Sequence, residues 1–279
     1  MLGKLIKHEW LSTWKVPTIL CIYLGVLTIL GCISFLSPMW QTDSLVIEII
    51  AMLSVLLYIL SLFAISITVF VYFIVRFYRN MYTNEGYLTH TLPVKPWEHI
   101  FSKGLIFFIW MLITVIAMTV SIALLIITAI SSINGDAIYI VRQAMQTEVI
   151  PELNTFFQTM LGMTLGGYIA FLVATTLVSA IYSILMIYAS ISVGQLFNKH
   201  KVFASFVAYA VINFIVQIIG TLVLLPLYRA VIEEAVTSNY ISSNFFTQTI
   251  GIGVGSSALL AVVFAFVTEY ITRKKLNLD

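Results

Sequence analysis

The chain has 279 residues, of which 61% are hydrophobic and 9% charged, and its formal net charge is +2. A soluble domain carries roughly 25% charged residues, so this composition excludes a water-soluble globule. So small a net charge also gives no reason to expect nucleic acid as a partner.

Residues 1–15 place Leu2, Ile6, Trp10 and Trp14 at a spacing of four, one face of a helix, with Lys4, Lys7, His8 and Lys15 largely on the opposite face. That pattern predicts an N-terminal helix lying in the membrane interface, the alternative being a plain basic flank to the first span. Six apolar runs follow, at about 17–36, 45–75, 104–131, 163–193, 203–227 and 249–268. Each reaches or exceeds the about 20 residues an α-helix needs to cross about 30 Å of hydrocarbon. Runs such as 109–130 are apolar on every face rather than alternating, so the backbone must satisfy its own hydrogen bonds in a helix and a β-barrel is excluded. The expected fold is therefore an all-α polytopic membrane protein with six transmembrane helices, a single transmembrane domain over 1–279.

The first run is longer than the apolar core of a secretory signal and lacks an A-x-A cleavage site, so it is read as a retained span. Cys21 and Cys32 lie on it, roughly 16 Å apart at the helical rise, too far for a disulfide. Lys4, Lys7 and Lys15 precede this span; Arg76, Arg79, Lys95 and Lys103 lie between the second and third; Lys199 and Lys201 between the fourth and fifth; Arg273, Lys274 and Lys275 after the sixth. Only Arg142 and Arg229 fall on the other side. The positive-inside rule then puts both termini in the cytoplasm.

The segment 76–103, RFYRNMYTNEGYLTHTLPVKPWEHIFSK, is the longest polar stretch on the inner side and mixes charges with Tyr78, Tyr82, Tyr87, Leu88, Leu92 and Trp97. Residues 76–84 can extend the second span, Gly86 can end it, and Pro93 and Pro96 break helix around Val94. A helix, a sharp turn and a short second helix are expected, built either to dock a partner or to fold against the spans. On the outer side, 132–162 and 228–248 carry helical spacing, through Ile138, Val141, Met145 and Val149 in one and Leu227, Ala230, Val231 and Glu234 in the other. Both are expected to form short helices near the outer surface.

Several chemistries are missing. An ion-coupled carrier keeps ionisable groups inside its spans, and the six runs hold none except Glu48 at the outer end of the second, where it can reach water. Glu233 and Glu234 invite comparison with the adjacent glutamates of membrane metalloproteases, but those need histidine ligands on later helices and the last histidine here is His200. His8-Glu9 has no second histidine at the H-E-x-x-H spacing, and no serine nucleophile has a buried base. The stretch 251–257, GIGVGSS, lacks the Lys of a phosphate loop; Gly251 and Gly255, like Gly162 and Gly166, are spaced for close helix contact instead. No catalytic residue, metal site or cofactor of its own is therefore assigned to the chain.

What remains inside the spans is uncharged polarity in stripes. Tyr209, Asn213, Gln217 and Thr221 recur every four residues on the fifth span, and Ser54, Tyr58, Ser61, Ile65 and Thr68 form a weaker line on the second. Mid-membrane amides need partners or water, so each stripe either bonds helix to helix or lines a pathway.

Two segments resemble the permease subunits of type-2 ABC transporters, particularly the short stand-alone permeases of Gram-positive bacteria. The opening KLIKHEWLSTWK, 4–15, is similar to their interfacial helix, and NEGYLTHTLPVKPWEHIFSK, 84–103, to the segment after their second span, through Glu85-Gly86-Tyr87-Leu88 and Thr91-Leu92-Pro93-Val94. The six-span layout agrees over the whole chain. The resemblance implies that 76–103 holds a cytoplasmic coupling helix docking on a separate ABC ATPase, that spans two and five face the translocation path, and that a re-entrant segment lies between spans five and six. It also implies a second permease, the same or a homologous chain, and ATP and Mg bound by the ATPase partner rather than here. The implied place is the bacterial cytoplasmic membrane and the implied direction is export. An uncharged path suits an amphipathic or hydrophobic cargo such as an antimicrobial peptide. The other reading is a non-transporting sensor or immunity module.

Overall fold

A computed structural model describes residues 2–36, 45–83, 85–86, 94–133, 136–197, 200–238 and 244–274. Among these no strand occurs, and six helices are long and apolar enough to cross a membrane. The elements are α1 (Leu2–Thr13), α2 (Lys15–Leu36), α3 (Leu45–Tyr82), α4 (Pro96–Ile133), α5 (Ala137–Ala144), a π-helical turn (Met145–Val149), α6 (Ile150–Leu161), α7 (Leu165–Gly194), α8 (Lys201–Ser238) and α9 (Asn244–Lys274).

Local chemistry sets where they start and stop. Pro17 has no N–H to give to the carbonyl of Thr13, which marks the joint between α1 and α2, while Trp14 N–H to Trp10 O and Thr18 N–H to Trp14 O, both 3.1 Å, keep the two nearly continuous. α3 runs past the expected end at 75 to Tyr82, as the sequence allowed, and Gly86 N–H then closes a turn on Thr83 O at 2.7 Å. α4 begins at Pro96 rather than near 104, with proline in the first helical position and Glu98 complementing the N-terminal dipole. Pro151 cannot donate to Thr147 O and would crowd it, so the chain widens into the π turn just before it. α6 ends at Gly162, whose φ of 68° is the left-handed conformation glycine adopts without strain. Thr164 then caps α7 by accepting from Gly167 N–H at 3.2 Å.

The short outer helices expected between spans three and four are present as α5 and α6. The region 228–248 differs: residues 228–238 continue α8 through Pro226, and 244–248 are the first residues of α9. No separate short helix therefore forms over the described part of that region, and 239–243 lie outside the described residues.

The chain divides into two compact units, residues 1–76 with 105–145, and residues 77–104 with 146–279. In the first, Thr28 of α2 and Ser121 of α4 share a hydrogen bond of 2.5 Å, Tyr58 of α3 bonds the same Ser121, and Phe73 stacks on Phe107 at 4.9 Å. Gly31 lets Leu125 approach so closely that a Cβ would stand 2.7 Å from its Cδ2. α1 is fastened by Glu9 to Arg76 of α3 at 3.6 Å and by Trp10 stacked on Trp110 of α4 at 5.0 Å. The stripe predicted to meet the membrane is thus partly spent on the protein itself: Trp10 packs inward, and of the four only Trp14 is exposed.

In the second unit α7 is central, packing on both α8 and α9, with Met186, Ala189 and Phe264 at the core and Ile212 and Val216 of α8 against it. The glycine pair Gly251 and Gly255 does not carry this packing, since a Cβ at either would meet nothing within 4 Å. Gly162 serves as a helix cap, and Gly166 also faces open space. The close approach is made at Gly194, where an added Cβ would run into the backbone of Ser205.

Candidate functional site

Tyr87, Leu88, Thr91, Leu92 and Pro93 of the expected docking segment lie outside the described residues. Glu85, Gly86 and Val94 are described. Glu85 accepts from Arg79 Nη2 at 3.0 Å, with both side chains more than half exposed, so the pair shapes the turn rather than stabilising the fold.

Where α3 ends, Met81 and Tyr82 are completely buried. The Tyr82 hydroxyl lies 2.6 Å from Ser192 Oγ of α7 and 3.2 Å from Thr272 Oγ1 of α9. One turn earlier, Phe77 stacks on Tyr188 of α7 with ring centroids 3.6 Å apart and nearly parallel. On the other flank His99, Ile100, Ser102 and Lys103 are buried in the first turns of α4, and Gly104 offers the room in which the Tyr188 ring lies. Both ends of the segment are therefore rooted in the second unit, while Trp97 and Phe101 stay 42% and 49% exposed beside it.

The two polar stripes behave differently. On α3, Ser54, Ser61 and Thr68 return their hydroxyls to Ala51 O, Tyr58 O and Ala64 O of their own helix, Ile65 is buried, and Tyr58 reaches across to Ser121. Tyr58 is thus a packing contact. On α8, Thr221 bonds Gln217 O of its own helix at 2.9 Å. Asn213 is half-buried, and Tyr209, Gln217 and Thr221 are exposed, so this stripe winds from the edge of the core built on Ile212 and Val216, where Tyr209 lies near Tyr182 of α7, out to the exposed side of the helix. No side-chain hydrogen bond joins Asn213 or Gln217 to another helix among the described residues, which leaves two amides in an apolar helix available to water or a partner.

Sequence reasoning missed Ser192, Thr272 and Tyr188, the residues that receive the flanks of the docking segment. The available signal was small residues at close spacing on an otherwise bulky helix, Ser190-Ile191-Ser192-Val193-Gly194, and Thr268 with Thr272 one turn apart. Among the described residues no group of His, Cys, Asp and Glu could hold a metal ion. No protein-family model matches this chain, and neither a curated protein nor a solved structure does.

Proposed function

We propose that the chain is the permease subunit of an ATP-driven exporter of the type-2 ABC kind, paired with a second permease and powered by separate ATPase chains that bind ATP and Mg. The observation that carries this reading is the rooting of 83–95, a polar and aromatic segment whose flanking residues Phe77, Tyr82 and Gly104 bury against α7 and α9. A push on such a segment passes into two membrane-spanning helices through buried contacts, which a chain without its own nucleotide loop or ion-coupling group requires.

In this reading Glu85 to Val94 dock the ATPase, and α8 offers Tyr209, Asn213, Gln217 and Thr221 to the translocation path. Ser54, Ser61 and Thr68 keep a place near the path on α3, whereas Tyr58 serves packing. The outer residues 228–248 take the part of the re-entrant segment. Both termini lie in the cytoplasm, by the basic bias of the inner segments, and the resemblance implies a bacterial cell. The uncharged stripe suits an amphipathic or hydrophobic cargo such as an antimicrobial peptide.

The test is purification of the full chain in mild detergent with assay of ATP hydrolysis in the complex. Vanadate-sensitive hydrolysis that is lost in Leu88→Asp and Leu92→Asp, while the permease stays monodisperse, is the expected result. An ATPase retained at parental level in both variants would move the docking site elsewhere. No ATPase with the parent chain would favour the sensor or immunity reading.

A further inference from the structure

Lys4, Lys7, His8 and Lys15 are exposed, and so are Leu11 at 57% and Trp14 at 43%. At about 100° per residue these positions fall within roughly a third of the helix circumference. The other side of α1 is occupied by the protein. Glu9, the one acidic residue in 2–15, is buried and paired with Arg76, Thr13 is buried, and Trp10 lies on Trp110. The outward face of α1 thus carries cations and apolar side chains and no carboxylate.

Its height is set by the chain. α1 ends at Thr13 and an apolar helix long enough to cross the bilayer begins at Lys15, so no loop separates this face from the membrane surface. We infer that the face formed by Lys4, Lys7, His8, Leu11, Trp14 and Lys15 docks on anionic phosphate headgroups of the bilayer and gathers acidic lipids such as phosphatidylglycerol around α1. Basic side chains beside a span attract anionic lipid over about a Debye length. Lysine stems can lie along the surface while the ammonium reaches a phosphate, and Trp14 and Leu11 enter the boundary between headgroups and acyl chains. Removing Glu9 to Arg76 is what leaves the cationic field unopposed. The inference stands apart from the transport proposal and holds for a sensor equally.

The experiment uses the full chain with Cys21→Ser, Cys32→Ser and Leu11→Cys, a bimane on position 11, reconstituted in phosphatidylcholine bilayers. Either brominated phosphatidylglycerol or brominated phosphatidylcholine is added at equal mole fraction. The acidic lipid should quench more strongly, matching a local enrichment of roughly fivefold, the factor one lysine near a charged surface supplies. Raised salt should erode that preference. Lys4→Gln with Lys7→Gln and Lys15→Gln should abolish it, and because these side chains are exposed the variant keeps its fold. Equal quenching by both lipids in the parent protein would overturn the inference by showing apolar contact without charge selection. Quenching by neither would overturn it too, placing the face in water or against an acidic protein surface.

Discussion

α7 and α8 follow one another in the chain and are both long apolar helices, yet they spend their side chains in opposite ways. α7 buries Ile184, every residue from Met186 to Ser192, and Gly194, whereas among the described side chains of α8 only Lys201 is buried. Phe203, Phe206, Phe214 and Leu222 of α8 stand more than 60% exposed. Hydropathy says that both helices leave water but not whether lipid or protein receives them, because lipid tails are as apolar as leucine and supply no force between helices. Hydroxyl groups and close backbone approach make the difference. α7 has Ser192 to meet Tyr82 and Gly194 to meet Ser205, while α8 points bulky groups outward and, among the described residues, its Asn213 and Gln217 amides bond no other helix.

This contrast can be tested by matched substitutions. The largest effect is expected for Tyr188→Ala, which empties a buried site stacked on Phe77 and should cost about 3–5 kcal/mol, against less than about 0.5 kcal/mol for Phe214→Ala on the exposed face of α8. Thermal unfolding in detergent reads both, and equal losses would mean that α8 is buried in the functional assembly. Next, Gly194→Ala forces a methyl group into the Ser205 backbone and should destabilise by about 1–3 kcal/mol. Gly220→Ala meets nothing within 4 Å and should be neutral or gain about 0.5–1 kcal/mol from helix propensity. A Gly194→Ala chain as stable as the parent would remove the close crossing from the account.

The smallest effect is the sharpest. Tyr82→Phe deletes the hydroxyl that joins α3 to Ser192 and Thr272 and should cost about 0.6–2 kcal/mol. Asn213→Leu with Gln217→Leu should leave the unfolding midpoint at or above the parent while lowering transport or its stimulation of ATP hydrolysis. A double leucine variant that melts markedly earlier and transports normally per folded molecule would return that stripe to packing.

The spans were legible because an uninterrupted apolar run has one economical backbone, and the extension of α3 to Tyr82 was legible because nothing in 76–82 opposes helix. Less could be read at the ends. The short helix expected after Pro93 and Pro96 is not a separate piece, since Pro96 opens a helix that runs on into the third span, and 228–238 look like a separate piece, yet α8 absorbs the proline at 226. The same holds for the candidate site. Spacing of four put Tyr58 and Asn213 in one class, and only their surroundings separate them: Ser121 stands opposite Tyr58, and the Asn213 amide has no helix partner among the described residues.

By itself the sequence determined that the chain is helical, that six of its helices are apolar enough to span a bilayer, and that basic residues gather between alternate spans. These follow from composition and from the cost of unpaired backbone in lipid, both local properties. Which side of each helix meets protein was decided only in three dimensions. Trp10 faces Trp110, Tyr188 lies under Phe77, and Gly194 rather than Gly251 makes the close crossing. In a uniformly apolar helix the moment that would mark a buried face is nearly absent, so packing depends on the shape and hydroxyl groups of residues distant in sequence.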